Sequence, residues 1–273
     1  MPRTERVDVA NEIYHVINRA NARVQIFDTD NDYKQFESIL EEAVKRFDMK
    51  IFAYSIMPNH WHLILSPKVD GDLSKFMGWL TNTHTRRWHT AKGKIGNGHL
   101  YQGRYKSFLC QKDNYLLTLL RYVERNAKRA KLVQKAENWK WSSVWRRIYG
   151  TDEQNKMLSL LPIEIHKNYL EYLNEPQTNE ELLLIRKSVN KNVPLGDDTW
   201  TGKIIDKFKL GRQYRGCSLH TNKRESKLSI LCVYNYQIAR NIATGKCQWI
   251  NRTPYRYRVQ SINMCPRASV NAL

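Results

Sequence analysis

The most constraining feature of this chain is the stretch IFAYSIMPNHWHLIL, residues 51–65, in which two apolar runs flank Pro58-Asn59. Each run is short enough for a buried strand, and proline followed by asparagine is typical of a turn, so the stretch predicts two neighbouring strands. Side chains alternate between the faces of a strand, which places His60 and His62 side by side on one face. Such a pair either binds one cation or forms an ordinary pair of hydrogen-bonded sheet histidines.

The elements predicted around this stretch follow the order strand, helix, strand, strand, helix, strand and third helix. Helical spacing of apolar residues and capping residues predict the helices, and alternation predicts the strands. Besides the strands around Pro58, we predict strands at 12–18 and 105–110. We also predict a helix capped by Asp30 or Asn31 that runs to about Phe47, a second from Asp72 or Ser74 onward, and a third from 114 to about 129 after the cap Asp113. This order indicates an α+β fold, a ferredoxin-like antiparallel sheet with helices on one face plus an added helix.

The third predicted helix carries Tyr122 and Asn126, which lie four residues apart and therefore share a helix face. The amide oxygen of Asn126 is a suitable ligand for Mg²⁺ or Mn²⁺ beside two imidazoles. The phenol of Tyr122 is a nucleophile once its proton is lost. The alternative for Tyr122 is a half-buried aromatic ring that packs on the sheet.

The positive charge is concentrated in two segments of the chain. The net charge is +19; residues 84–147 hold 16 Lys and Arg against 3 Asp and Glu, and residues 201–273 hold 14 against 2. Such clustering is what a phosphate-binding surface requires, so nucleic acid is the favoured partner.

Several classes of protein do not fit the composition. No apolar run approaches the ~18–20 residues of a membrane span, and the N-terminus has no apolar signal core. Five widely spaced cysteines without a CxxC pair argue against a zinc ribbon or a disulfide framework. We therefore expect a cytoplasmic protein.

Five stretches resemble, in this order and spacing, the REP-associated tyrosine transposases, which form an IS200-like branch of the HUH single-tyrosine (Y1) transposases. They are YHVINRANARVQIF, MPNHWHLIL, GHLYQGRYKSF, DNYLLTLLRYVERN and NWKWSSV, and they cover about residues 12–147. The resemblance implies a transposase that cleaves and rejoins single-stranded or hairpin DNA through a 5′-phosphotyrosine. It assigns Tyr122 as the nucleophile and His60, His62 and Asn126 as ligands of Mg²⁺ or Mn²⁺.

One departure from the family pattern concerns the residues after the tyrosine. Family members usually read N-P-V-R-A-G, whereas this chain reads NAKRAK from Asn126 to Lys131. Loss of the proline and the glycine predicts a helix one turn longer, with ligand and nucleophile kept in place.

Basic and aromatic residues around these motifs are predicted to contact DNA, the aromatic ones by stacking on bases. They are Arg86, Arg87, Trp88, Lys92, Lys94, Tyr101, Arg104, Lys106, Arg121, Arg125, Lys128 and Arg129. The resemblance also permits a homodimer and suggests association with the nucleoid. Two alternatives stay open: a DNA-binding protein that kept the fold without catalysis, and a metal-dependent hydrolase with water as the nucleophile.

Composition changes divide the chain into three predicted parts. Residues 1–150 are the predicted catalytic domain, and residues 151–212 are a predicted helical extension. Within this extension, VPLGDDTWTGKIIDKFKLGR resembles the family's C-terminal module, which starts near Pro194. Residues 213–273 are a basic tail, either disordered or the product of a frameshift.

Overall fold

The computed structural model describes residues 6–210 and contains a four-stranded antiparallel sheet. The strands are β1 (Ile13–Arg19), β2 (Lys50–Met57), β3 (His60–Ser66) and β4 (Lys106–Cys110), in the order β2-β3-β1-β4. With one helix between β1 and β2 and another between β3 and β4, this is the predicted α+β, ferredoxin-like arrangement.

Helices α1 (Asp30–Phe47) and α2 (Asp72–Ala91) lie on one face of the sheet. The side chain of Thr29 caps α1, one residue earlier than predicted, and forms a capping box with Asp32. The apolar stripes of both helices pack against Trp61 and Leu63 of β3. The main core therefore contains the side of β3 that faces away from the histidines.

The third helix, α3 (Asn114–Glu124), lies on the opposite face and is capped by Asp113 as predicted. Its stripe of Leu116, Leu119, Leu120 and Val123 packs against apolar residues of the sheet such as Ile13, Ile64 and Phe108. Since Ile64 shares a strand face with His62, α3 covers the face that bears the histidines.

The prediction of a single helix over residues 114–129 is wrong, because the helix is interrupted at Arg125, near the end of this range. The first segment ends at Glu124, Arg125 has φ −84° and ψ 0°, and a separate turn, α4 (Asn126–Arg129), follows. Side chains on both sides of the break are held by different neighbours: Glu124 enters a buried network, while Lys128 binds the carbonyl of Asn174. Tyr122 and Asn126 are consequently on consecutive helical pieces.

The remaining described chain forms further helices. They are α5 (Ser143–Tyr149), α6 (Asp152–Asn155), α7 (Tyr169–Asn174), α8 (Asn179–Lys191) and α9 (Asp198–Lys207). Of these, α7 and α8 contribute apolar residues to the clusters that contain α3. Leu117 packs with Leu173, and Ile185 packs with the other face of α3. The backbone of Leu195 bonds to Leu109, which extends the edge at β4.

None of the helices within residues 6–210 has both the length and the apolar character needed to span a bilayer. The predicted tail, residues 213–273, lies outside the described residues.

Candidate active site

His60 and His62 lie on β3, one of the two central strands of the sheet. In the antiparallel register His62 is opposite Ile17 of β1, and His60 is opposite Arg19. Directly opposite residues project from the same face, so Arg19 stands beside His60. The ring centroids of the two histidines are 5.1 Å apart, and His62 is almost completely buried.

Both rings use Nδ1 for a hydrogen bond. Nδ1 of His60 donates to Oδ1 of Asn59 at 2.7 Å, and Nδ2 of Asn59 donates to the Arg23 carbonyl at 3.0 Å, which determines the orientation of the amide. Nδ1 of His62 shares a hydrogen bond of 2.8 Å with Nε2 of His15. The Nε2 atoms are therefore the nitrogens that remain for a ligand.

Burial and positive neighbours keep these imidazoles neutral. Burial, together with the charges of Arg19 and Arg129, lowers the pKa of His60 to about 4. Burial is also the main reason that the pKa of His62 is well below its usual value, with the neighbouring histidines and the same two arginines adding to the effect. Neutral imidazole is the form that binds metal ions.

Tyr122 reaches this pair from α3. Its ring stands edge-on to His62 with a centroid distance of 5.9 Å, and 9% of the residue is exposed. The guanidinium of Arg129 lies 4.1 Å from the centroid of the Tyr122 ring. The fold thus brings the predicted nucleophile next to a predicted metal ligand and under a cation.

Asn126 is buried in the same place, but its oxygen already has a partner. Nη2 of Arg129 donates to Oδ1 of Asn126 at 2.6 Å, and Nη1 donates to the Tyr122 carbonyl at 3.3 Å. Nδ2 of Asn126 is buried without a hydrogen bond. Arg129 has no carboxylate partner within the described chain, and burial is the main reason that its pKa is lowered.

His60, His62 and Asn126 offer nitrogen and oxygen atoms of the kinds that bind a divalent ion. Two neutral imidazoles with Nε2 available are good ligands, and an amide oxygen has two lone pairs, so Asn126 becomes a third ligand if Arg129 shares or releases it. Within residues 6–210 no group of three or more His, Cys, Asp or Glu side chains forms an alternative site. A site at His60 and His62 is therefore compatible with the structure.

Several of the residues predicted to contact DNA have exposed or partly exposed side chains. Lys106 is opposite Ile17 across β1–β4, so it projects from the same face as His62, one strand further away. Arg104 is exposed two residues before it, and Arg125 is partly exposed beside the break after α3. Arg86 and Lys94 are exposed on and after α2, in the layer on the other side of the sheet.

Two aromatic residues predicted to stack on bases are buried instead. Trp88 is 6% exposed and donates to the Ile26 carbonyl at 2.8 Å. Tyr101 is 7% exposed, accepts from Trp61 and shares a hydrogen bond with His84. The prediction that these rings stack on bases is wrong, because both belong to the core between the helices and the sheet.

Four predicted basic contacts bind other parts of the protein. Arg87 pairs with Glu42 through both nitrogens of its fork, and Lys92 pairs with Asp32, both on α1. The Arg121 side chain is buried and donates to the carbonyls of Glu175 and Pro176. Together with Lys128 on Asn174, Arg121 attaches the extension to the tyrosine helix.

Three residues near the site were missed in the sequence. His15 and Arg19 share one face of β1 with Ile13 and Ile17. The spacing of two residues could have indicated a functional role for His15, since it places an imidazole on a face that otherwise begins as apolar. Gln177 accepts from Arg129 at 3.4 Å and is buried. No local pattern distinguishes Gln177, because it reaches the site only through the packing of the extension.

The domain is ferredoxin-like, with two histidines on a central strand that faces Tyr122 of α3. Residues 8–126 match the sequence profile of the family described as transposase IS200 like. This region of the chain is therefore similar to the IS200-like transposases.

Solved structures with a similar fold include a REP-associated tyrosine transposase bound to a REP hairpin, at 18% identity and a TM-score of 0.46, covering 54% of this chain and 86% of that one. A Deinococcus radiodurans protein described as a candidate transposase has 19% identity and a TM-score of 0.33, covering 48% and 92%. The tRNA(His) guanylyltransferase of Saccharomyces cerevisiae has 12% identity and a TM-score of 0.37, covering 64% and 84%. No protein of curated function matches the chain. At these values the structural likeness carries no argument about function.

Proposed function

We propose that this protein cleaves and rejoins single-stranded or hairpin DNA by transesterification, with Tyr122 as the nucleophile. The observation that carries the proposal is the contact between Tyr122 of α3 and His62 of β3, with ring centroids 5.9 Å apart. A tyrosine that only packs on the sheet has no need of neutral imidazoles and a partly buried guanidinium around it.

The chemistry is a balanced exchange of one ester bond for another. Oη of Tyr122 loses its proton and forms a bond to the phosphorus of a DNA phosphodiester, while the bond to the 3′-oxygen breaks. The released 3′-hydroxyl takes up a proton, and the 5′-phosphate remains on the tyrosine. Attack by another 3′-hydroxyl reverses the exchange and joins two ends without ATP.

The cations around the tyrosine suit this reaction. Arg129 lies over the phenol ring, and Arg19 stands beside His60. Positive charge near a phenol favours the phenolate, and positive charge near a phosphodiester stabilises the charge that develops on its oxygens. Arg129 and Arg19 therefore bind and orient the scissile phosphate at the tyrosine.

His60 and His62 would hold Mg²⁺ or Mn²⁺ through Nε2, with Asn126 as a further ligand. When bound, such an ion neutralises charge on the non-bridging oxygens of the scissile phosphate. The protein's own contribution is to keep both imidazoles neutral and to orient them through Nδ1. Outside this centre, Arg104, Lys106 and Arg125 provide exposed positive charge for the backbone of the strand.

The test is a covalent adduct. Incubated with hairpin-bearing DNA and Mn²⁺, the protein should form an SDS-resistant protein–DNA adduct, because a tyrosine nucleophile leaves a phosphotyrosine. Tyr122→Phe removes only the attacking oxygen, so DNA binding should persist while the adduct disappears. Tyr115→Phe, on the same helix, is the matched control and should form the adduct as the wild type does.

Other outcomes would identify the alternatives. DNA binding without any adduct in the wild type would indicate a DNA-binding protein without catalysis, an alternative favoured by the contact of Arg129 with the Asn126 oxygen. Cleavage that continues in Tyr122→Phe without an adduct would indicate hydrolysis by water. An adduct that survives in Tyr122→Phe would refute the role of Tyr122.

A further inference from the structure

A third histidine, His15 on β1, lies directly behind the site. It is completely buried, and its ring is stacked on His62 with centroids 5.0 Å apart and planes inclined by 20°. Phe108 of β4 packs on it at 4.8 Å. Nε2 of His15 and Nδ1 of His62 are 2.8 Å apart, so one of the two nitrogens donates a hydrogen bond to the other.

The direction of this hydrogen bond decides whether His62 can bind a cation. If His15 donates, Nδ1 of His62 accepts, and the single proton of the neutral His62 ring is on Nε2, where no lone pair is left. If His62 donates from Nδ1, its Nε2 carries a free lone pair. The geometry of the ring pair therefore matters for chemistry as well as for packing.

The surroundings favour donation by His62. His60, on the same strand face, already donates from Nδ1 to Asn59. Arg19 and Arg129 act on His62 with positive charge, and cations stabilise a lone pair rather than an N–H at the nitrogen that points away from His15. On the other side, His15 lies among apolar residues such as Ile13, Ile64 and Phe108.

We propose that His15 is a positioning residue of the active site: its Nε2 accepts the Nδ1 proton of His62 and so keeps Nε2 of His62 free to bind the divalent ion. This inference rests on the proposed function. In many metal sites a carboxylate or a carbonyl accepts the hydrogen bond from the other ring nitrogen of a metal-binding histidine, and here His15 would be that acceptor. A neutral imidazole in this place adds no negative charge to a site that must receive a phosphate.

Acceptance of this hydrogen bond by His15 has a cost in free energy, because it leaves another polar atom of His15 without a partner. With Nε2 as the acceptor, the proton of the neutral His15 ring is on Nδ1, which is buried without a hydrogen bond. A buried polar atom without a partner is unfavourable and is retained chiefly where a function requires it. An apolar side chain at this position would remove that cost but would leave Nδ1 of His62 buried without a partner.

The first experiment locates the proton on His62 in the metal-free protein. The full chain labelled with ¹⁵N-histidine contains eight histidines, and His62 is assigned by comparison with His62→Gln. Long-range ¹H–¹⁵N spectra should show the proton of His62 on Nδ1. A proton on Nε2 of His62 would overturn the proposal, and this result needs no variant of His15 that folds.

The second experiment measures Mn²⁺ affinity by calorimetry. His15→Leu removes the acceptor and should weaken Mn²⁺ binding by about 10- to 100-fold. His15→Gln supplies an acceptor oxygen and should restore most of the affinity. His84→Leu is the matched control, a buried histidine on the other side of the sheet that bonds to Tyr101, and it should bind Mn²⁺ as the wild type does.

The outcomes separate this inference from the proposed function. Wild-type affinity in a folded His15→Leu variant would overturn the role of His15. A wild type that binds no Mn²⁺ would contradict the metal site of the proposed function, while a proton on Nδ1 of His62 would still support the orientation of the ring by His15.

Discussion

At the scale of single residues, Arg19 and Arg129 are the charged side chains that act on both His60 and His62, and no carboxylate within residues 6–210 offsets them. Arg129 is the central residue of this arrangement, since it contacts the Tyr122 ring, the Tyr122 carbonyl and the Asn126 oxygen. A partly buried guanidinium that bonds only neutral oxygens is well placed to receive an anion.

The first prediction concerns Arg129. Arg129→Gln should lower the rate of adduct formation by about 10²-fold at saturating DNA, a typical loss when one preorganised charge donor is removed from a transition state. Single-turnover kinetics with hairpin DNA provide the measurement. Arg104→Gln, at an exposed position, should leave this rate unchanged. A faster rate in Arg129→Gln would show that Arg129 instead withholds Asn126 from the ion.

At the scale of elements, the position of Tyr122 depends on how α3 ends. Glu124, the last residue of α3, is buried and accepts from Ser143 at 2.7 Å and from Tyr169 at 2.8 Å. It also forms an ion pair with Arg147 of α5 at 3.2 Å. These bonds connect α3 to α5 and α7 two residues beyond the tyrosine, so the extension holds the end of the tyrosine helix in place.

The second prediction concerns this network. Glu124→Gln removes the buried charge opposite Arg147 and should lower the free energy of unfolding by about 3 kcal/mol, as is usual when one member of a buried ion pair is lost. Urea denaturation measures the change. Glu153→Gln, in an exposed pair with Lys156, is the control and should have no measurable effect. Equal stability of both variants would mean that α3 is held by apolar packing alone.

At the scale of the whole molecule, the positive charge of residues 84–147 is only partly available to a ligand. Several of its members are neutralised by acids or attached to the extension, as Arg87, Lys92, Arg121 and Lys128 are. Others, such as Arg104 and Lys106, are exposed. The net charge therefore overstates the number of phosphate contacts that this part of the chain offers.

The third prediction concerns salt. Affinity for hairpin DNA should fall steeply with salt, because bound phosphates release counterions. Arg104→Gln should reduce the slope of log affinity against log salt by about 1, while Arg87→Gln should change it little, because Glu42 already pairs with this charge.

Deleting residues 221–273 should weaken nonspecific binding and leave adduct formation intact. Loss of the adduct in a folded deletion variant would contradict the last point.

The order of elements, the turn at Pro58-Asn59 and the placement of His60 and His62 on one strand face could all be predicted from the amino-acid sequence. These features depend on local periodicity, turn residues and caps such as Asp113, which act within a few residues of one another. The motif stretches also indicated the family, because they keep the order and spacing of its chemical groups.

Which of these side chains meet, and which are buried, could be seen only in the folded protein. The stacking of His15 on His62, the closure of Arg129 over Tyr122 and the burial of Trp88 and Tyr101 all join residues that are far apart in the chain or in different layers. The break at Arg125 likewise depends on partners in the extension. The physical reason is that burial and hydrogen bonding are set by how the layers pack, and local sequence pattern does not contain that information.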